Sequence, residues 1–236
     1  MSLIASNLQA VNTRILAALR DAFSGAGRAV MLVAVSKTRP PEAIREAHAA
    51  GQRAFGENYV QEAIAKMAAL ADLDIEWHFI GPIQGNKAKL IAQHFSWAHG
   101  VDRLKIAEAL SRHRPTGHAP LNICIQVKVS GEASKGGVRP DEALNLARQV
   151  AALPNLRLRG LMAIIENTTE PLAQHAQFRM LRELAGRMTD AGIPLDTLSM
   201  GMTQDFEIAI EEGSNMVRIG SAIFGKREYK AESIKS

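Results

Sequence analysis

Leu32-Val33-Ala34-Val35-Ser36-Lys37-Thr38 is a short apolar run that ends abruptly in polar residues, and a helical pattern opened by Pro41 follows it. This is the signature of one parallel βα unit, a buried strand followed by a crossover helix with proline at its first position. The same alternation runs through the chain. Apolar runs fall at residues 32–36, 53–56, 75–80, 97–100, 122–129, 160–164, 197–200 and 216–220. Helical patterns lie between them at 41–50, 59–70, 87–94, 103–113, 140–152, 171–190 and 204–212. Eight strands joined by helices in roughly 220 residues predict a single-domain (β/α)8 TIM barrel, not an open doubly wound sheet.

A leading helix over residues 2–24 precedes the first unit. Ile4, Leu8, Val11, Ile15, Leu19 and Phe23 recur at spacings of three and four, Ser2 is available as N-cap, and Gly25 and Gly27 stop it. It is expected to close the barrel floor or pack on the barrel's side. No Pro/Gly/Ser-rich linker divides residues 1–236, and the polar tail at 227–236 is expected to fray.

Composition bounds the function. With 47% hydrophobic and 22% charged residues, the 236-residue chain has the makings of a globular core. Its net charge of +4 and pI near 9.4 suit an anionic ligand. Nucleic acid is disfavoured as a partner, because the basic residues are scattered and only 5% of residues are aromatic. The single cysteine, Cys124, excludes an internal disulfide and a Cys-rich zinc site, and its apolar surroundings predict a buried, inert thiol. No metal is expected: the histidines lack His-Glu-x-x-His spacing, and His94 with His99 is too loose a pair. No apolar stretch approaches ~18 residues and no signal-peptide pattern opens the chain, so the expectation is a cytoplasmic protein without a membrane partner.

In this fold the chemistry sits where strands finish. Val33, Val35 and Lys37 share one face of the first run, so a lysine emerges from an apolar surface. Partial desolvation would lower its pKa and free the amine to attack an aldehyde, although a solvated lysine is the commoner outcome at a strand end. The eighth run, Met216-Val217-Arg218-Ile219-Gly220, is interrupted by an arginine that faces the same way as Met216 and Gly220. A buried arginine costs several kcal/mol unless paired, which admits either a structural salt bridge or a bound anion. Barrel closure puts this strand ~4.8 Å from the first, so two cations share one mouth. Gly220-Ser221 and Ser199-Met200-Gly201-Met202-Thr203 add glycines and hydroxyls after strands seven and eight, the usual phosphate position of the fold. Thr203 is also placed to cap the next helix. The 220–226 segment has P-loop spacing, yet Arg227 stands where magnesium needs a hydroxyl, and its middle is apolar.

Taken together these stretches resemble the pyridoxal phosphate homeostasis proteins, relatives of the barrel half of alanine racemase. The resemblance extends from Leu32 to Lys226. It is carried by Val33-Ala34-Val35-Ser36-Lys37-Thr38, Phe55-Gly56-Glu57-Asn58-Tyr59-Val60-Gln61-Glu62, Trp77-His78-Phe79-Ile80-Gly81, Gln84-Gly85-Asn86-Lys87 and Ser130-Gly131-Glu132-Ala133-Ser134-Lys135-Gly136-Gly137. The most specific matches are Leu198 to Thr203 and Val217 to Gly225. The resemblance implies pyridoxal 5′-phosphate (PLP) as cofactor, held on Lys37 as a Schiff base. It further implies Asn58 beside the cofactor, Arg218 at the pyridine nitrogen, and Thr203, Gly220 and Ser221 on the phosphate with Ser199 nearby. Three positions depart from the family pattern: Thr203 for serine, Asn215 for threonine, and Ile165-Glu166 where a proline is usual.

What the resemblance implies is a PLP carrier or buffer that passes its cofactor to apo-enzymes. An arginine at the pyridine nitrogen leaves it unprotonated and weakens carbanion stabilisation, whereas electron-sink enzymes use a carboxylate there. The alternative is a PLP-dependent racemase or lyase with weak activity, which needs a second acid/base; Tyr59 and Tyr229 are the tyrosines at hand. A third reading is a partner-binding regulator that uses PLP as a signal. Nothing in the residues calls for a second chain, so a monomer is expected.

Overall fold

In the computed structural model, which describes residues 2–22, 28–132 and 136–225, the eight apolar runs become eight parallel strands. They are β1 (Met31–Val35), β2 (Ala54–Glu57), β3 (Glu76–Phe79), β4 (Trp97–Val101), β5 (Leu121–Gln126), β6 (Leu156–Met162), β7 (Thr197–Ser199) and β8 (Met216–Ile219). Each pairs with its sequence neighbour, and β1 pairs with β8 in the register Leu32↔Val217 and Val33↔Arg218, which closes the barrel.

The helices are α1 (Leu3–Ala22), α2 (Pro41–Ala49), α3 (Val60–Ala69), α4 (Ala88–His94), α5 (Leu104–His113), α6 (Pro140–Ala151), α7 (Pro171–Asp190), α8 (Phe206–Glu211) and α9 (Ser221–Phe224). Proline opens α2, α6 and α7 because its fixed φ suits the first turn and its missing N–H would have no helical partner. A 3₁₀ turn, Gly85–Lys87, leads into α4. The leading helix is capped as expected, with Ala5 N donating to Ser2 Oγ at 3.2 Å. It packs on the barrel's side against α2, α8 and α9, where Arg14 pairs with Glu207 and Asn7 Nδ2 donates to Ile223 O. The expected stop at Phe23 to Gly27, the Ala133-Ser134-Lys135 stretch, Tyr229 and the 227–236 tail lie outside the described residues.

Two apolar layers hold the fold. A large core fills the space between strands and helices, from Ala34, Phe55 and Phe79 outward to Ile44, Leu110 and Phe178. A smaller one sits inside the barrel and contains Val33, Ala54, Trp97, Cys124, Met162 and Met216. Cys124 is buried there and its thiol is pushed up to about 12 by burial, which makes it inert at neutral pH. Where β6 meets β7 only glycine fits: a Cβ at Gly160 would lie 1.7 Å from Thr197 O.

The boundaries move in one informative place. The sixth strand starts at Leu156, four residues before the expected 160–164 run, because Leu156-Arg157-Leu158-Arg159 alternates instead of running apolar. Arg159 is held by Asp196, by Asn122 and by the face of Trp97, 4.9 Å from the ring centroid.

Candidate functional site

A cavity of about 610 Å³ opens at the C-terminal ends of the strands. Lys37, Asn58, Thr203, Arg218, Gly220 and Ser221 all line it, as do Val35, Ile80, Ile164 and Asp205. Ser199 does not line it but sits directly beneath, fully buried and bonded to Arg218. The sequence-predicted residues are thus brought to one place by four strand ends, those of β1, β2, β7 and β8.

Lys37 lies two residues past β1, on the inward face it shares with Val33 and Val35. The backbone around it is held tightly. Ser36 Oγ donates to Glu57 Oε1 at 2.7 Å, Lys66 Nζ donates to Ser36 O at 2.8 Å, and Thr38 N donates to Glu62 Oε1 at 2.6 Å. Lys66 completes the cluster by pairing with Glu57 at 2.8 Å and with Glu62 at 2.5 Å. This overdetermination is needed, since Thr38 has a φ of 63°, an uncommon conformation for a β-branched residue. Burial raises Glu57 above the usual carboxylate range, while Lys66 and Ser36 pull it back down.

Asn58 follows β2, and its backbone is packed so closely by the end of β3 that a Cβ at Gly81 would meet Asn58 O at 2.9 Å. Its Oδ1 is buried without a hydrogen-bond partner among the described residues, an acceptor left open beside the cavity.

Arg218 is 4% exposed. Nη1 donates to Ser199 Oγ at 2.6 Å and Nη2 to Ala163 O at 2.9 Å. No carboxylate among the described residues comes within ion-pair distance; Asp205 is the acid that acts on it from farther off. Burial without a direct counter-charge pulls the guanidinium down to about 10, so it remains a cation at neutral pH. The structural-salt-bridge reading of Arg218 therefore finds no partner in the described chain.

Just past the end of β8, Ser221 Oγ lies 3.3 Å from Thr203 Oγ1. Thr203 is not the cap of the next helix, as its position in sequence suggests: α8 starts later, with Asp205 at the N-cap position and no side-chain cap bond. The Thr203 hydroxyl instead faces Ser221, and Asp205 Oδ1 ties the turn by accepting from Met202 N at 2.5 Å. The first N–H groups of α9 have no partner within so short a helix, so Gly220-Ser221 and Thr203 form a donor-rich patch.

Three sets of residues escaped sequence reasoning. The β6–α7 loop from Ile165 to Thr168 and Gln174 of α7 line the cavity. The Glu57–Lys66–Glu62 cluster braces Lys37. Beneath Arg218, side chains line up toward the floor: Ser199 Oγ is 2.8 Å from His99 Nδ1, His99 Nε2 is 3.0 Å from His78 Nδ1, and His78 Nε2 is 2.8 Å from Glu76 Oε1. The inward parity of Glu76 with His78, and of Trp97 with His99, was a usable signal. Tyr59, by contrast, is 54% exposed and is not part of the cavity lining.

The sequence profile described as alanine racemase, N-terminal domain, matches residues 7–228. A pyridoxal phosphate homeostasis protein of Pseudomonas aeruginosa is 59% identical over 234 residues, covering 98% of this chain and 99% of its own. PipY of Synechococcus elongatus, solved with PLP bound, superposes with a TM-score of 0.83 at 38% identity, over 94% of this chain and 100% of its own. Alanine racemase of Corynebacterium glutamicum shares the fold at 19% identity, with a TM-score of 0.71 over 95% of this chain and 61% of its own. With a barrel that closes in sequence order and relatives matched end to end, this chain belongs to the pyridoxal phosphate homeostasis protein family.

Proposed function

We propose that the protein binds PLP in the 610 Å³ cavity, holds it as a Schiff base on Lys37, and serves intracellular PLP homeostasis by passing it to apo-enzymes. The observation that carries this reading is the convergence of a lysine, a buried guanidinium with no ion-paired carboxylate among the described residues, and a hydroxyl-rich turn on one cavity. The cavity volume falls in the range of small-molecule sites, about 300–1,000 Å³. The open acceptor at Asn58 Oδ1 and the three unassigned N–H groups of Arg218 are what a polar, anionic, aromatic ligand can satisfy.

PLP supplies an aldehyde that condenses with a primary amine, releasing water. Lys37 supplies the amine, and the cluster around Ser36 and Thr38 holds its backbone. Thr203, Gly220 and Ser221 bind the phosphate, Arg218 donates to the pyridine nitrogen, Asn58 borders the ring, and Ser199 supports Arg218 from below. The racemase or lyase alternative gains nothing from Tyr59, which is exposed and does not line the cavity. We further propose one PLP-binding domain over residues 1–236, acting as a monomer in the cytoplasm. No helix among the described residues is long and apolar enough to cross a membrane.

The test is absorbance between 300 and 500 nm after incubation with PLP, for the parent protein and Lys37→Ala, followed by borohydride reduction and mass mapping. A band near ~420 nm in the parent alone, with the reduced adduct on Lys37, is the expected result. A protein that stays colourless with PLP overturns the proposal.

A further inference from the structure

From Arg218 to Glu76 the barrel axis is threaded by four hydrogen bonds, and both ends of the line have fixed polarity. A guanidinium can only donate and an ionised carboxylate can only accept. His78 Nε2 must therefore carry a hydrogen for Glu76. Both imidazoles are fully buried and burial disfavours their charged forms, so His78 is neutral and its Nδ1 accepts. His99 must then donate from Nε2 and accept at Nδ1. That leaves the Ser199 hydroxyl to donate to His99 and to offer a lone pair to Arg218 Nη1. Reversing any one member sets two donors or two lone pairs face to face. Trp97 fixes the ring plane of His78, stacked at 5.3 Å and 8°.

We propose that Glu76, His78, His99 and Ser199 form a one-way column that positions Arg218. The carboxylate at the floor dictates the two imidazole tautomers, these dictate the Ser199 hydroxyl, and the oriented hydroxyl anchors Nη1. With Nη2 bound to Ala163 O, the guanidinium plane is fixed and its remaining N–H groups are presented to the cavity. The role of the column in cofactor binding rests on the PLP reading; its polarity does not.

Two measurements test it. Nitrogen chemical shifts of the imidazoles in PLP-free protein, assigned with His78 and His99 variants, are expected to show both rings neutral with hydrogen on Nε2. A hydrogen on Nδ1, or an imidazolium at neutral pH in either ring, overturns the column. In PLP-loaded protein, His99→Leu is expected to shift the cofactor band and speed PLP dissociation about tenfold, the loss of roughly one hydrogen-bonded anchor. His99→Gln is expected to stay within about twofold, because its amide oxygen and nitrogen share one carbon as Nδ1 and Nε2 do. If His99→Leu does not fold, Glu76→Leu at the half-exposed floor takes its place with the same expected direction. A leucine variant that keeps the parent's band and dissociation rate overturns the positioning role. A parent protein that takes up no PLP overturns the PLP reading instead, and the imidazole spectra still decide the column.

Discussion

Two buried polar systems flank the cavity, and they solve the cost of burial in opposite ways. On the β2–α3 side, Glu57, Lys66 and Glu62 form a cluster of close ion pairs around the Lys37 backbone, with Lys66 and Glu57 essentially without solvent contact. On the β8 side, Arg218 is equally buried but leans on a serine hydroxyl and a carbonyl, and the chain of groups beneath it is neutral until the floor. The first system pairs its cation with two carboxylates and leaves only Glu57 Oε2 without a hydrogen-bond partner among the described residues, which suits a scaffold. The second leaves a positive charge for something else to satisfy, which suits a binding site. Catalytic-looking residues in this barrel are thus told apart by whether the protein itself completes them.

Breaking the compensated side should have the largest effect. Lys66→Met removes the cation between two carboxylates and strands Glu57 in the interior, an arrangement that costs about 3–5 kcal/mol. Urea unfolding of the PLP-free protein should show a loss in that range, and Glu57→Gln with Lys66→Met should recover at least half of it by removing the stranded charge. A loss below about 1 kcal/mol for the single variant would mean that solvent reaches the cluster, and the contrast between the two sides would collapse.

The same substitution on the other side should do much less to stability. Arg218→Met deprives Ser199 and Ala163 O of a donor, a cost of about 1–3 kcal/mol. It also removes a guanidinium held out of water without an ion-paired carboxylate, a relief of several kcal/mol. These terms oppose each other, so the PLP-free protein should unfold within about 1 kcal/mol of the parent. PLP retention should fall sharply, as read by dialysis and absorbance. A stability loss as large as that of Lys66→Met would show Arg218 to be scaffold and not site.

The difference between the two sides also explains what was legible in sequence. Eight strands and their order could be read because parallel strands buried on both faces are uniformly apolar, and Lys37 and Arg218 stood out as charges ending or interrupting such runs. The strand β6 began too late in that reading because Arg157 and Arg159 gave it an alternating pattern. Thr203 looked like a helix cap because local sequence cannot show that Ser221, eighteen residues on, is its neighbour. Lys66 was invisible for a similar reason: on a helix such as α3 a lysine reads as solvated, and only the tertiary approach of β2 turns it inward. The column was hidden in Glu76-Trp77-His78 and Trp97-Ala98-His99, where inward parity was readable but two strands had to be laid side by side to make a line.

The last expected effect concerns the neutral column and acid. Burial depresses both His78 and His99 below the ordinary imidazole value, near 6.5. Below that pH the unfolded chain takes up protons that the native barrel refuses, so stability is fully present above about 6.5 and declines as pH falls toward the native values. Each imidazole contributes a slope approaching about 1.4 kcal/mol per pH unit. Glu57 and Asp205, raised by burial, act in the opposite sense at lower pH and blunt the total. A difference measurement isolates the column. His99→Gln, which keeps the donor and acceptor but cannot titrate, should flatten the stability profile between pH 5 and 6.5 relative to the parent, by up to one imidazole's worth. Equal slopes in the two proteins would mean that His99 gains its proton inside the native barrel. The column would then have to tolerate two facing donors, and its one-way order could not be what holds Arg218 in place.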